Sequence, residues 1–345
     1  MTSRERVERS IEGKLIGRVP RDLWKLPWAE IHHPGMIDRI TREFPNDIVS
    51  PPPGYAEKPK TNGNHYSVGT YVDEWGSVFE NIQAGVIGEV KEPVVESYDS
   101  IDALRTPVEL LSIDREGIDA FCTDSDKFVM MDGCARPFER LQFLRTTEKL
   151  YIDLAEESIA SSETVAGAEV GVTQLIRRIH GFFCEQLEEW AKTKVDALMF
   201  MDDWGSQQSL LINPIQWRRV FKPLYRDYIE IAHRAGKRAF MHSDGYIIDI
   251  IPDLIELGLD ALNSQLFCMG LDKLEAFKGD LCFWGEIDRQ HLLPDATQAE
   301  IVEAVELVRE SLFSSGGVIA QCEFGPGAKP DNVYEVFSSW DRIVL

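Results

Sequence analysis

DALMFMDDWGSQQSLLINPIQWRRVFKPLYRDYIEIAHRAGKRAFMHSDG, residues 196–245, contains two short apolar runs, ALMFM and RAFM, on either side of a long segment with helical spacing. Neither run alternates polar with apolar residues, as a strand with one wet face would. A continuous apolar strand followed by an amphipathic helix is the signature of a parallel strand buried on both faces. Each run also halts abruptly on groups that need a partner: Asp202 and Asp203 in the first, His242, Ser243 and Asp244 in the second.

The same unit recurs on both sides of this stretch. KFVMMDG precedes PFERLQFLR and TEKLYIDLAEESI; DALNSQ precedes LDKLEAFKG; LCFWGEID precedes QAEIVEAVELVRESL; GVIAQCEFGPG precedes DNVYEVFSSW. Six such units, with RVPRDLW as an earlier strand, predict a (β/α)8 TIM barrel formed by a single domain over residues 1–345. A doubly wound open sheet is the alternative, weakened because no GxGxxG or Walker motif follows the first strands. TSRE signals a capped helix at the start, where Thr2 caps and Glu5 reaches back, and this helix reads as peripheral. Residues of about 50–95 are different in character: proline and glycine punctuate them, and HYSVGTYV flanks the turn signal NGN. They predict a β-hairpin excursion that serves as a lid or a partner surface.

The chain of 345 residues has a formal net charge of −22, which repels phosphate backbones and anionic membrane surfaces. Small molecules and proteins are the expected partners. No apolar run approaches the roughly 18–20 residues that span a bilayer, and the charged start does not read as a signal peptide, so a cytoplasmic location is expected. Cys122, Cys134, Cys184, Cys268, Cys282 and Cys322 form no CxxC pair and read mostly as buried small hydrophobes.

In a barrel of this kind the C-terminal strand ends form the active face. The residues there are Asp132 and Arg136; Asp202, Asp203 and Trp204; His242 and Asp244; Asn263 and Gln265; Glu286 and Asp288; Cys322 and Glu323. Taken singly, the carboxylates could simply cap the helices that follow. Taken together, His242, Glu286 and Cys322 offer the N, O and S donors of an open, three-ligand zinc site. Cys282 is a secondary candidate, about 13 Å deeper than Glu286 on the same strand face at the usual ~3.3 Å rise.

These segments resemble the uroporphyrinogen decarboxylase superfamily. Residues 196–245 are similar to its central segment, FWGEIDRQHLL to its QGNLDP-x-x-L motif, FGPGAKPDNVYEV to its GHGI-x-P-x-x-P-x-x-N-V motif, and TSRERVERSIEGKLIGRVPRDLW to its opening. The resemblance implies a (β/α)8 barrel and two alternative activities. Decarboxylases of the family carry an arginine-bearing RQAGRY-type segment that holds substrate carboxylates. The corresponding LWKLPWAEIHHPGM has no arginine, which disfavours porphyrinogen decarboxylation. The family's zinc-dependent, corrinoid-linked methyltransferases carry H-x-C and a distant cysteine. Here His242 and Cys322 match, while Asp244 stands where the middle thiolate would be.

Replacing a thiolate by a carboxylate, whether Asp244 or Glu286, hardens the site and suits an oxygen substrate. The expectation is therefore a zinc enzyme that moves a methyl group from a methoxylated or other methylated small molecule to a corrinoid protein. Asp202, Asp203, Glu286 and Asp73 are its candidate catalytic groups. Trp204, Asn263, Gln265, Arg136, His33 and Trp24 are the candidate substrate contacts; Trp28, Trp75 and Phe324 are further aromatics for the pocket. The alternatives are a decarboxylase acting on a porphyrinogen or smaller carboxylate, and a non-catalytic carrier whose strand-end carboxylates are caps. By analogy with the family the hairpin offers a homodimer surface.

Overall fold

The computed structural model describes the chain apart from residues 53, 133–134, 163–170 and 344–345, and apart from the side chains of 158–162. Cys134 lies outside the described residues. The strands are β1 (Arg21–Lys25), β2 (Ile48–Val49), β3 (Gly69–Val72), β4 (Val78–Asn81), β5 (Glu89–Val90), β6 (Phe128–Val129), β7 (Ala197–Met201), β8 (Arg238–Ser243), β9 (Ala261–Ser264), β10 (Cys282–Glu286) and β11 (Val318–Phe324). Six of them form one parallel sheet in the order β1-β11-β10-β9-β8-β7. The first strand thus pairs with the last, so the sheet curls. β2 and β6 make a separate parallel pair. It is tied to β7 by the Met130–Ala197 bridge and to β1 by a hydrogen bond from Asp47 N to Arg21 O, 2.8 Å. The architecture is α/β and TIM-barrel-like, with helices outside the curl.

The strands read as unbroken apolar runs because successive side chains enter two different cores. Met199, Phe240, Ala261, Cys282, Trp284 and Ile319 meet inside the curl. Their neighbours Leu198, Ala239, Met241, Leu262, Phe283, Ala320 and Cys322 pack outward against the helices. The first helix, Ser3–Ile11, has the capping box expected of Thr2 and Glu5. It is not peripheral: Val7 is fully buried in the inner core, so the helix closes the N-terminal end of the curl.

The helical pattern after β7 breaks in two, Pro214–Val220 and Lys222–Arg234. Pro223 explains the break, since it has no N–H to continue the first helix's ladder. Asn213 starts the first piece by accepting from Ile215 N at 2.8 Å. In the 50–95 excursion, β3 and β4 pair antiparallel across the turn 73–77, and β5 adds to β4. Among the described residues no helix is long and apolar enough to cross a membrane.

Candidate active site at the strand ends

Because the side chains of a strand alternate, only every second strand-end residue faces the mouth of the curl. On β8 and β9 these are His242 and Asn263, paired in register; on β10 and β11 they are Glu286 and Glu323; just past β7 it is Asp203. The loops after β7 and β8 cross at two glycines. A Cβ on Gly245, whose φ is +80°, would lie 2.1 Å from Gly205 O, and Gly205 N donates to Asp244 O at 3.1 Å. The crossing needs bare backbone and draws Asp203 and Asp244 together.

Their side chains converge on His242. Its Nε2 stands 3.5 Å from Asp203 Oδ1 and 3.8 Å from Asp244 Oδ1, and the three ligand atoms lie within 4.8 Å of one another. Its other nitrogen, Nδ1, lies 2.5 Å from Asn263 Oδ1. Asn263 Nδ2 donates to Trp284 O, which leaves the amide oxygen as the only group it can offer the ring. Nδ1 therefore carries the proton, and Asp244 N–H fixes Asp203 by donating to Oδ1 at 3.0 Å. Burial alone would lower the pKa of His242, but Asp203, Asp244 and Asn263 outweigh it and carry the imidazole up to about 10.

This arrangement passes a test of fit for zinc. A tetrahedral ion with ~2.0–2.1 Å bonds separates its ligands by roughly 3.3 Å, against 3.5 and 3.8 Å from His242 Nε2 to the two carboxylates. A ligating histidine characteristically has its second nitrogen held by an acceptor, here Asn263. Two carboxylates and one imidazole make a hard donor set.

Beside the cluster stands Arg289, on which sequence reasoning laid no weight. It pairs with Asp244, with Glu323 at 2.7 Å and with Glu286 at 3.6 Å, joining three strand ends. The available signal was its place as the first cation after GEID. Burial pushes the Glu286 carboxyl up to about 8; Arg289 opposes this, while Asp244 and Glu323 add to it. Trp24 covers the cluster, its ring 5.2 Å from that of His242. Gln265, Glu286 and Arg289 line a neighbouring cavity of about 390 Å³, where Gln265 accepts from Gln207 at 3.0 Å.

The structure does not bring several sequence candidates to this point. Cys322 projects to the helix side of β11, between Ala320 and Phe324 in the outer core, while Glu323 takes the inward position. Burial pushes its thiol well above the ordinary range. Cys282 faces inward at the floor, two layers below Glu286. Cys122 is also buried, whereas Cys184 and Cys268 are half-buried.

Asp202, one residue out of phase with Asp203, is fully buried and caps the helix Pro137–Arg145. It accepts from Phe138 N at 2.9 Å, Glu139 N at 2.8 Å and Tyr225 Oη at 2.6 Å. Trp204 stacks on Phe138 at 4.2 Å and donates to Tyr225, so it is core and not pocket wall. His33 stacks on the buried Phe324 at 5.5 Å. Asp288 caps its own turn by accepting from Gln290 N and His291 N.

Asp73 and Arg136 lie elsewhere, in a cavity of about 800 Å³ beneath the β3–β5 sheet. Asp73 accepts from Trp75 N and Ser77 N and pairs with Arg140. Arg136 sits 3.6 Å from Glu139.

Residues 162–343, more than half of the chain, match the family model described as uroporphyrinogen decarboxylase (URO-D). None of the curated proteins matches. Among solved structures, a methyltransferase from Methanosarcina mazei is similar over 99% of this chain and 98% of its own, with a TM-score of 0.65 and 12% identity. At that identity the likeness concerns the fold. A 3-keto-D-glucoside 4-epimerase from E. coli gives a TM-score of 0.40 and 11% identity over 68% of this chain and 85% of its own.

Proposed function

This chain belongs to the uroporphyrinogen decarboxylase family, and on that footing we propose that it is a zinc-dependent methyltransferase. It would move a methyl group from a methoxylated or other methylated small molecule to a corrinoid carried by a partner protein in the cytoplasm. We read residues 1–345 as one (β/α)8 domain closed through β2 and β6, with the β3–β5 excursion as an insertion that also offers a homodimer surface. The observation that carries the functional reading is the convergence of Asp203, His242 and Asp244 with Nδ1 of His242 pinned by Asn263. The full-length likeness to a methyltransferase fold supports it, as does the lack of arginine in LWKLPWAEIHHPGM.

Asp203, His242 and Asp244 would hold the zinc, with Asn263 and Arg289 steadying them from behind. Zinc, when bound, supplies Lewis acidity toward a donor oxygen. The corrinoid supplies the nucleophile that accepts the methyl carbon. The remaining work belongs to side chains of this chain. The C–O bond breaks with its electron pair left on oxygen, and that oxygen needs a proton. Glu286, whose carboxyl burial raises to about 8, would supply it and leave the product as an alcohol.

Metal analysis of tag-free protein tests the proposal. About one zinc per chain is expected, lost in Asp203→Asn, His242→Asn and Asp244→Asn; a metal-free wild type that takes up no added zinc would sink it. The family's description names a decarboxylase, and carbon dioxide release without metal, dependent on Asp73, would favour that second reading instead.

A further inference from the structure

The cavity beneath the β3–β5 sheet adjoins the zinc-type cluster at Glu139, which lines it and feels the charges of Asp203 and His242. Its walls are rings: Tyr71, Trp75, Phe79, Phe143, Phe183 and Trp190 all line it. At about 800 Å³ it falls within the range of small-molecule sites, roughly 300–1,000 Å³. Eleven buried side-chain polar atoms lack a hydrogen-bond partner among the described residues, and three of them belong to this one wall: Arg140 Nε, Gln186 Oε1 and Trp190 Nε1. Buried polar groups are nearly always satisfied, so three orphans around one cavity point to a molecule that satisfies them. Arg140 is rigidly mounted, with its two Nη atoms on Asp73 and Glu74 and its guanidinium over the Trp75 and Phe143 rings.

The charges select among ligands. Arg140 faces Asp73 and Glu74, and Arg136 faces Glu139, so both guanidinium groups of the wall already have carboxylate neighbours. Burial lowers the pKa of His65 below its ordinary value. In a chain of net charge −22 such a wall gives an anion no attraction. Two orphan N–H donors and one orphan acceptor call for hydroxyl or carbonyl oxygens, and the rings call for a flat body.

We propose that this cavity is a binding site for a small, uncharged, oxygenated aromatic molecule such as a phenolic alcohol, held by Arg140, Gln186 and Trp190. None of these three residues belongs to the Asp203–His242–Asp244 cluster, so the binding needs no metal there. Calorimetric titration of the full chain with 4-hydroxybenzyl alcohol tests it, with 4-hydroxybenzoate as the charged probe and cyclohexane-1,4-dimethanol as the non-aromatic one. Saturable one-to-one binding of the uncharged aromatic is expected, several-fold tighter than either comparison probe. Trp190→Phe and Gln186→Leu, checked for folding by thermal melting, should each weaken it about 2- to 10-fold, the worth of one hydrogen bond. His242→Asn should leave it unchanged. No saturable binding at millimolar probe overturns the proposal, as does equal or tighter binding of the charged or saturated probe. Binding that is indifferent to Trp190→Phe and Gln186→Leu but lost in His242→Asn would place the ligand at the strand ends and overturn it too. Loss of zinc binding alone, with probe binding intact, would fall on the methyltransferase reading and leave this site standing.

Discussion

His242 Nδ1 lies 2.5 Å from Asn263 Oδ1, and this single contact decides which ring nitrogen faces the two aspartates. The Asn263 amide cannot turn over, because its Nδ2 is engaged by Trp284 O at the neighbouring strand. The register that sets His242 beside Asn263 on adjacent parallel strands thus also fixes the imidazole tautomer.

Asn263→Ala should therefore weaken zinc binding without removing a ligand. Loss of the group that orients a ligating histidine typically costs about 10- to 100-fold in metal affinity. Competition with a coloured chelator would measure it. Asn263→Asp keeps an acceptor in place and should recover most of the loss; an Ala variant with wild-type affinity would contradict the assigned role.

Cys322→Ala should leave zinc content and zinc affinity unchanged, because the thiol points into the helix layer. It should cost about 1 kcal/mol of stability for the small cavity it leaves, read from urea denaturation. A loss of zinc in this variant would show that β11 turns in solution to present the sulfur inward.

Cys322 also shows where the sequence could be read and where it could not. The unbroken apolar runs ALMFM, RAFM and VIAQ led directly to parallel strands buried on both faces. The same lack of alternation hid the phase, since within β11 only Gln321, two residues before Glu323, marks the inward side. A strand end ordinarily carries two polar candidates, and a shift of one residue exchanges them. Thus Asp203 reaches the mouth while Asp202 caps a helix, and Glu323 takes the place expected of Cys322. His242, Asn263 and Glu286 posed no such choice, because the second candidate at each strand end, Asp244, Gln265 or Asp288, stands two residues on and shares its phase. Arg289 belongs to a loop, and no periodicity fixes where a loop residue folds back. Asp73 was expected among the catalytic groups, but its distance from the strand ends depends on how the excursion packs.

Gly245→Ala tests the loop crossing that joins Asp203 to Asp244. The added methyl would meet the Gly205 backbone at 2.1 Å and would have to adopt a φ of +80°. Strain of this kind costs about 1–3 kcal/mol before the clash is relieved. The β7 and β8 loops should separate, lowering the melting temperature and the zinc affinity together. An unchanged affinity would mean that the aspartates are held in place by other contacts.

Asp202→Ala should behave as a structural lesion. It removes the acceptor of two backbone N–H groups at the start of the helix Pro137–Arg145 and leaves those N–H groups and the Tyr225 O–H without an acceptor. A destabilisation of about 2–4 kcal/mol is expected from a lost cap combined with unsatisfied donors. Zinc stoichiometry in the folded fraction should stay at the wild-type level. If stability is preserved and only turnover falls, Asp202 acts in chemistry after all.

Asp22 gives the fold a specific dependence on pH. Its carboxylate lies inside the curl, fully buried, accepting from the indoles of Trp24 at 2.8 Å and Trp284 at 3.1 Å and from Asn46 at 2.9 Å. Burial raises its pKa to about 7 in the folded chain despite those donors, against an ordinary value of 3.8. Below pH 4 both folded and unfolded chains hold the proton, and the group's contribution to stability is fully present. Between pH 4 and 7 the unfolded chain has released the proton and the folded chain has not, so rising pH favours unfolding. Above pH 7 both forms are ionised and the loss levels off. Other carboxylates impose slopes of their own, so the informative quantity is the difference between wild type and Asp22→Asn. Urea denaturation at half-unit steps from pH 4 to 8 should show wild-type stability falling relative to the variant by a few kcal/mol across that window and running parallel to it above pH 7. Parallel curves throughout would mean that the Trp24 and Trp284 indoles already hold Asp22 ionised at pH 4.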